Sequence, residues 1–277
     1  MSDETSHAIV LRRVEYGDYD LIITLFTPDQ GKVSAIAKSA KKSTKRFPGI
    51  LELFARLEVV ISRGRRKGGL AILKEASLTS AFFHIRESIL KTAYASYWSE
   101  LLNLWLEEGE PQPALFRLLA YALGELDTQR TPPGVLSLMF QLRLLALAGF
   151  KPNLAHCSLC RCDPTCKLEN KVYASLSKGG LVCCDCAHDQ LQSWALTKGT
   201  IKQLRWLESG DPSRARRLKI SSQTLVEGQA FLEAFVPYYL GRTPRSLRFL
   251  QHLRRLKTAG SPKRGRGRGG THGPADN

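Results

Sequence analysis

What this chain of 277 residues lacks narrows its reading first. It has no apolar run long enough for a bilayer. The most hydrophobic helical stretch, residues 135–150, is interrupted by Ser137, Gln141 and Arg143, whereas a span needs about 20 predominantly apolar residues. The opening MSDETSHAIV is polar and acidic, so no export signal is expected and the protein is expected in the cytoplasm, with no membrane partner. Absent too are GxxxxGK[ST], GxGxxG and HExxH, which leaves no visible means of using nucleotide energy. Acidic residues are nearly missing from residues 32–74: Glu52 and Glu58 stand against twelve Lys or Arg. A two-metal nuclease needs several converging carboxylates, and Asp18, Asp20 and Asp29 lie in or beside turns and read as turn formers. No internal repeat is present. Cysteine is missing from the first 156 residues, and all seven cysteines fall between Cys157 and Cys186. In a reducing compartment, such clustering and an odd count argue for a metal rather than a disulfide framework.

What is there is positive charge, and it is segregated. The formal net charge is +16, which points to a polyanionic partner, nucleic acid or an acidic protein surface. Residues 84–127 reverse the balance, with three Lys or Arg against seven acidic residues, and residues 242–277 return to ten against one. Solubility alone would not require such sorting.

The periodicity divides the chain. Residues 7–14, 20–27 and 32–37 are short runs rich in Val, Ile, Leu and Thr, separated by Tyr16-Gly17-Asp18 and by Pro28-Asp29-Gln30-Gly31, which read as hairpin turns. Residues 53–62 alternate, and residues 70–73 and 76–78 supply the last strand. Five strands in about eighty residues predict a small barrel, with the OB fold the most economical choice. Near Thr79 the period becomes helical. A long helix over residues 78–108 is expected to break somewhere. Helices are then predicted over 114–126, from Thr131-Pro132 to Ala148, over 194–209, from Asp211-Pro212, over 222–240, and from Thr243-Pro244 to about Lys257. The tail GSPKRGRGRGGTHGPADN has no residue large enough to pack and is expected to be disordered. The fold class expected is α+β and multidomain. Residues 1–79 form an OB barrel that binds DNA, residues 80–152 and 190–258 a helical domain, residues 153–189 an inserted four-cysteine zinc finger, and residues 259–277 a basic Arg/Gly tail.

Two sets of residues carry candidate chemistry. Lys38, Lys41, Lys42, Lys45 and Arg46 crowd a loop between two strands, and Arg63, Arg65, Arg66 and Lys67 crowd the next basic turn. Each phosphate such a side chain meets releases counterions, and successive loops of a small barrel can flank one groove. Tyr16, Tyr19, Phe47 and Phe54 are candidates to stack on bases, with core filling as the other reading of each. The second set is HCSLCRCDPTCKLENKVYASLSKGGLVCCDC. Cys157-x2-Cys160 and Cys183-x2-Cys186 have knuckle spacing, and four thiolates in a tetrahedron suit one structural Zn²⁺ with no open position for water. Gly179-Gly180 allows the chain a tight approach. Cys166 is the best substitute ligand and His156 a weaker one. Cys162 and Cys184 read as filler or free thiols, and an iron–sulfur cluster is the rival occupant. A Cys–His nucleophile at His156–Cys157 or His188–Cys186 conflicts with metal duty, so no enzyme is expected.

The chain resembles the RecO family of bacterial recombination and DNA repair proteins. HAIVLRRVEYGDYDLIITLFTPDQGKVSAIAKSAKKS, Gly49-x-Leu51, LEVVISRGR, Tyr97-x-x-Glu100-Leu101, FQLRLLALAGFKPNLAHCSLC and GGLVCCDC stand in that family's order, over about residues 7–255. The resemblance implies an N-terminal OB domain, a helical domain and, in many members, a zinc finger. It implies binding of single- and double-stranded DNA, annealing of complementary strands, and action with RecR to load RecA on DNA covered by single-strand-binding protein. Carried over by position, Lys38, Lys41, Lys42 and Lys45 would touch DNA, and Cys157, Cys160, Cys183 and Cys186 would hold zinc. The acidic, Phe-ended tail of single-strand-binding protein would suit an apolar groove with a cationic rim, for which the last helix offers Arg245, Arg248, Arg254 and Arg255. Two departures stand out: Arg161 occupies a position where glycine is common, and Cys162 and Cys166 are additions. The reading from another class is an adaptor whose basic surfaces hold acidic proteins and meet DNA only incidentally.

Overall fold

The computed structural model describes residues 3–62, 69–164, 171–187, 193–212 and 219–259. Its first unit is a closed barrel of β1 (Asp3–Tyr16), β2 (Asp20–Thr27), β3 (Gly31–Ala37), β4 (Arg56–Ser62) and β5 (Ala71–Ser80), in the order β1-β2-β3-β5-β4. All pairings are antiparallel except β3 with β5. Strand β1 closes the barrel because it is long enough to serve two neighbours. Its first half pairs with β4, from Asp3 opposite Ser62 to Ile9 opposite Arg56. Its second half pairs with β2, with an irregularity between Val10 and Arg12. Ala8, Ile9, Val10 and Leu11 are all buried because both faces of β1 are covered there. Ala8 and Val10 fill the barrel core, whereas Ile9 and Leu11 join the core of the helical region.

The long helix expected over residues 78–108 breaks as anticipated. A single turn, α1 (Phe83–Arg86), precedes α2 (Ile89–Trp105), and the Ser88 side chain caps α2 by accepting from the Lys91 amide. Then come α3 (Pro113–Thr128) and α4 (Pro133–Leu147), each opening on a proline that has no amide to leave unpaired. Trp98 is fully buried at the centre, with its ring stacked 5.2 Å from that of Phe140 and its indole N–H directed to Ser137 Oγ at 3.3 Å. Tyr97 donates to Gln141 Oε1 at 3.0 Å.

The cysteine-bearing segment carries a three-stranded sheet, β7-β6-β8, from β6 (Lys171–Ser175), β7 (Gly180–Val182) and β8 (Trp194–Thr197), with the short helix α5 (Cys184–Ala187) after β7. The helix expected over residues 194–209 therefore begins four residues late. Trp194–Thr197 pairs with β6, and Thr197 then caps α6 (Lys198–Ser209). Pairing partners distant in sequence outweigh local helical spacing here. Ser221 caps α7 (Ser222–Leu240), which stops at Gly241 in the left-handed region, the conformation that suits a glycine at a helix end. Last comes α8 (Arg245–Ala259), whose first amides are received by the Glu100 carboxylate of α2, from Arg245 N at 3.1 Å and Ser246 N at 2.8 Å.

Barrel and helices are packed together. Phe26 of β2 meets Phe116 of α3 edge-on, with ring centroids 5.6 Å apart. At the β2–β3 turn, Gly31 has φ 61°, and a Cβ there would lie 1.9 Å from the Glu110 carbonyl oxygen, so only glycine fits. Lys32 Nζ donates to the Asn103 carbonyl at 3.0 Å, and Ser34 Oγ donates to Glu108 at 2.7 Å. The acidic stretch 100–110 thus lies against the foot of the basic barrel.

Candidate nucleic-acid interface and metal centre

The loop from Lys38 to Ala55 leaves the end of β3 opposite Gly31. It is anchored rather than free, because Ala40, Phe47 and Leu51 insert into the barrel core. Asp20 accepts the Ser39 amide at 2.7 Å, which makes it a turn former, and the Lys41 amide reaches the Tyr19 carbonyl at 3.0 Å. Lys38, Lys41, Lys42, Lys45 and Arg46 are exposed on the anchored segment. Lys41 is paired with Glu15 at 2.7 Å, and the Lys42 ammonium sits 3.5 Å from the Tyr19 ring centroid. Arg46 donates to the Lys38 carbonyl at 2.9 Å, which bends the loop back on itself. A cavity of about 270 Å³ lies beneath, lined by Arg13, Lys41, Ser43, Phe47 and Glu52 among others.

The four aromatic candidates divide cleanly. Phe47 and Phe54 are 2% and 3% exposed and are core residues, whereas Tyr16 and Tyr19 are 55% and 45% exposed on the β1–β2 turn. That turn borders the strand face on which OB barrels receive oligonucleotides. Arg63, Arg65, Arg66 and Lys67, in the β4–β5 connection, lie outside the described residues, as do Cys166, His188 and the tail after Gly260.

Cys157, Cys160, Cys183 and Cys186 converge, their four Sγ atoms all within 4.8 Å of one another. Zn–S bonds of about 2.3 Å in a tetrahedron would set sulfurs about 3.8 Å apart, and Cys160 to Cys183 measures 3.6 Å. Backbone explains the convergence. Gly180, at φ 155°, lets Asn153 lie directly on β7. Asn153 N donates to the Gly179 carbonyl at 2.9 Å, and Leu181 N donates to the Asn153 carbonyl at 2.8 Å. The first cysteine pair is thereby laid beside the second. Arg161 follows Cys160 at φ 65°, the left-handed region where glycine is unstrained. Cys184 lies apart from the four sulfurs, its thiol 3.8 Å from Asp185. Cys162 stays close, its Sγ 3.3 Å from that of Cys160.

The electrostatics suit a cation. Burial opposes ionisation of Cys157, but the N–H groups of Cys183, Cys160 and Leu159 outweigh it and bring the thiol down to about 6. The Cys162 amide, then its thiol, lower Cys160. Cys186 is pushed up to about 12, first by the thiol of Cys183 and then by that of Cys160. Thiolates crowded in this way repel one another until a positive ion joins them. Four sulfurs and amide N–H groups directed at them fit a closed thiolate centre. His156 is turned away from this duty, since its Nε2 accepts from the Arg161 guanidinium at 2.6 Å.

On the last helix Arg245, Arg248 and Arg255 are exposed, whereas Arg254 is drawn out of the expected cationic rim by Glu233, 2.6 Å from its Oε1. An apolar groove of about 330 Å³ lies elsewhere, between α3 and α4, with Leu118, Ala146, Leu147 and Pro212 in its wall and Arg117, Arg143 and Glu208 as its charged lining, the Arg143 guanidinium donating to the Leu207 carbonyl. No charge run marks it in the sequence, which is why that reading missed it. Among the described residues, no helix is long and apolar enough to cross a membrane.

Comparison with known proteins agrees with this architecture. The family model described as Recombination protein O N terminal matches residues 1–82, and that described as Recombination protein O C terminal matches residues 86–248. The DNA repair protein RecO of Desulfatibacillum aliphaticivorans is 43% identical over 92% of this chain and 99% of its own length. Its namesakes in Desulfosudis oleivorans and Myxococcus xanthus are 40% and 34% identical, over 90% and 89% of this chain and 98% and 96% of their own lengths. Two family models that meet at the barrel–helix junction, and relatives matched nearly from end to end, make this chain a member of the RecO family of DNA repair and recombination proteins.

Proposed function

We propose that this protein is a recombination mediator that handles DNA strands with its barrel and uses no catalytic step. The observation that carries the reading is the anchored loop, which presents Lys38, Lys41, Lys42, Lys45 and Arg46 on one rim of the barrel close to the exposed Tyr16 and Tyr19. Lysines neutralise phosphates without reading bases, and a tyrosine face stacks on any base. Arg63, Arg65, Arg66 and Lys67 are proposed as further phosphate contacts. Two strands held against such a surface lose much of their mutual phosphate repulsion, so complementary sequences pair faster with no fuel and no covalent intermediate. Both single- and double-stranded DNA satisfy these contacts.

Family membership supports the partners: RecR beside this protein, RecA loaded indirectly, and single-strand-binding protein on the DNA. For the acidic, Phe-ended tail of single-strand-binding protein, the α3–α4 groove offers an apolar wall for the ring and Arg117 for a carboxylate, and the last helix offers the exposed Arg245, Arg248 and Arg255. Cys157, Cys160, Cys183 and Cys186 would hold one structural Zn²⁺. The ion supplies cross-linking there and no Lewis-acid chemistry, because four protein ligands leave no open position. We assign residues 1–79 to the DNA-binding barrel, residues 80–152 and 190–258 to the helical part and residues 153–189 to the metal-held insertion, with β8 of the helical part completing the insertion's sheet.

Charge reversal of Lys38, Lys41, Lys42 and Lys45 together tests the strand-handling site. Each cation lost from contact with single-stranded DNA lowers the slope of log affinity against log salt by about 0.7, so a fall of about 2.8 is expected, together with slower annealing. Unchanged affinity and slope would assign the loop to an adaptor's protein surface instead.

A further inference from the structure

We infer that the cavity between the cysteine knuckle and the C-terminal end of α6 is a second phosphate-binding site, which takes the backbone of a nucleic-acid strand. The cavity has a volume of about 520 Å³. Lys151, His156, Arg161, Arg205 and Glu208 supply its side-chain charge and hydrogen bonds. Three cations against one carboxylate leave a surplus of two positive charges. Lys151 pairs with Glu208 at 2.5 Å, which places that ammonium in the wall. A guanidinium can only donate, so Arg161 donates to His156 Nε2 and keeps its remaining N–H groups for a ligand. Arg205 is exposed on α6. Guanidinium groups match phosphate oxygens in geometry as well as charge.

The knuckle builds this site. Arg161 stands between Cys160 and Cys162, its amide received by the Cys157 carbonyl at 3.1 Å, while the Cys157 amide reaches the Cys162 carbonyl at 2.8 Å. The side chain that forms one wall is therefore held by the same turns that gather the thiols, and loss of the metal would release it. The closed metal centre thereby acquires a task beyond folding, which is to aim a cation.

The position favours a strand over a small anion. Lys32 is tied to Asn103 near the end of α2, and Trp105 in the last turn of that helix meets Phe150, one residue before Lys151, with ring centroids 5.5 Å apart. The cavity is thus joined to the Gly31 end of β3, whereas the lysine loop leaves the opposite end. The seven residues of β3 span about 23 Å at 3.3 Å per residue. At about 3.4 Å per nucleotide along a strand, that is roughly seven nucleotides. The cavity lies beyond that span, so a strand well over seven nucleotides long is needed to reach both sites.

The inference rests on the DNA-binding reading only for the class of ligand, and its test separates the two. Zinc-loaded full-length protein is titrated with a short oligodeoxynucleotide, under about seven nucleotides, and with one several times longer, across a range of salt. R205E alone and R161E/R205E are expected to leave short-oligomer binding intact and to lower the long-oligomer salt slope by about 0.7 and 1.4. Removal of zinc is expected to release Arg161 alone and to lower the long-oligomer slope by about 0.7. R205E lies on α6, away from the cysteines, so it remains informative if R161E disturbs the knuckle, which the zinc content of each variant reports. A long-oligomer slope unchanged in both variants overturns the site. Displacement by millimolar inorganic phosphate with no dependence on oligomer length overturns the nucleic-acid assignment. Short-oligomer binding that survives reversal of the four loop lysines instead sinks the barrel reading and leaves this one standing.

Discussion

At Gly31 a single missing atom joins two parts of the molecule. A Cβ there would meet the Glu110 carbonyl oxygen at 1.9 Å, on a backbone with φ 61°. Gly31→Ala therefore combines left-handed strain with overpacking, and we expect a loss of about 2–4 kcal/mol, read as a lower thermal midpoint. An unchanged midpoint would mean that the turn and the 100–110 segment do not press together. Arg161 is the converse case: it occupies a glycine-like φ of 65°. Arg161→Gly should relieve about 1 kcal/mol of strain and slow zinc release to a chelator, although it removes a cation from the proposed second site. Faster release than wild type would show that its bond to His156 matters more than the strain. Phe47 and Phe54 show the limits of reading aromatics by type, since both are buried while Tyr16 and Tyr19 are not.

Among the elements, the small sheet β7-β6-β8 is the one that meets the thiols. One face of the sheet packs Val172, Ala174, Leu181 and Leu196 into the helical core, whereas on the thiol side Cys157 and Cys183 meet Val182, Cys186 and Ala187 among the described residues. The thiol-side cluster buries too little apolar surface to hold the two cysteine turns together without a cross-link. Cys157→Ser is expected to abolish stoichiometric zinc binding and to strip amide-exchange protection from the cysteine turns, at the amides of residues 157, 161 and 186, while the barrel strands stay protected. Equal loss in the barrel would disprove the local role. The pH dependence has a definite sign. Cys157 is depressed from 9.0 to about 6, so the stabilisation that comes with its thiolate is present above the ordinary thiol value and is lost as pH falls through the folded value. Zinc uptake by the metal-free protein should accordingly weaken as pH is lowered through about 6, followed with a colorimetric zinc indicator. A rise in uptake on acidification would exclude thiolate ligation.

For the whole molecule, the core shared by barrel and helices sets how the two move. Ile9, Leu11, Phe26 and Phe54 belong to the barrel chain yet pack into the helical core beside Phe116. Phe116→Ala should cost about 3–5 kcal/mol and split or broaden the calorimetric transition as the barrel loses its seat. A sharp transition at the wild-type midpoint would show that the two parts are independent. Rigid seating is what gives meaning to a fixed separation between the lysine loop and the knuckle cavity.

The sequence alone determined the barrel, the helical region, the four cysteines that converge and the lysine loop. Each of these is written in a local signal: alternation, helical spacing, C-x2-C, or a run of one charge. Tertiary structure decided the rest, because it depends on partners distant in the chain. Trp194–Thr197 is a strand only because β6 lies beside it. Ile9 and Leu11 are buried on the far face of β1 only because α2 and its neighbours cover that face. Arg254 leaves the surface because Glu233 receives it, and Lys151, Arg161 and Arg205, never adjacent in the chain, surround one cavity. Periodicity reports which side of an element is apolar, whereas burial and charge pairing are fixed by what comes to rest against it.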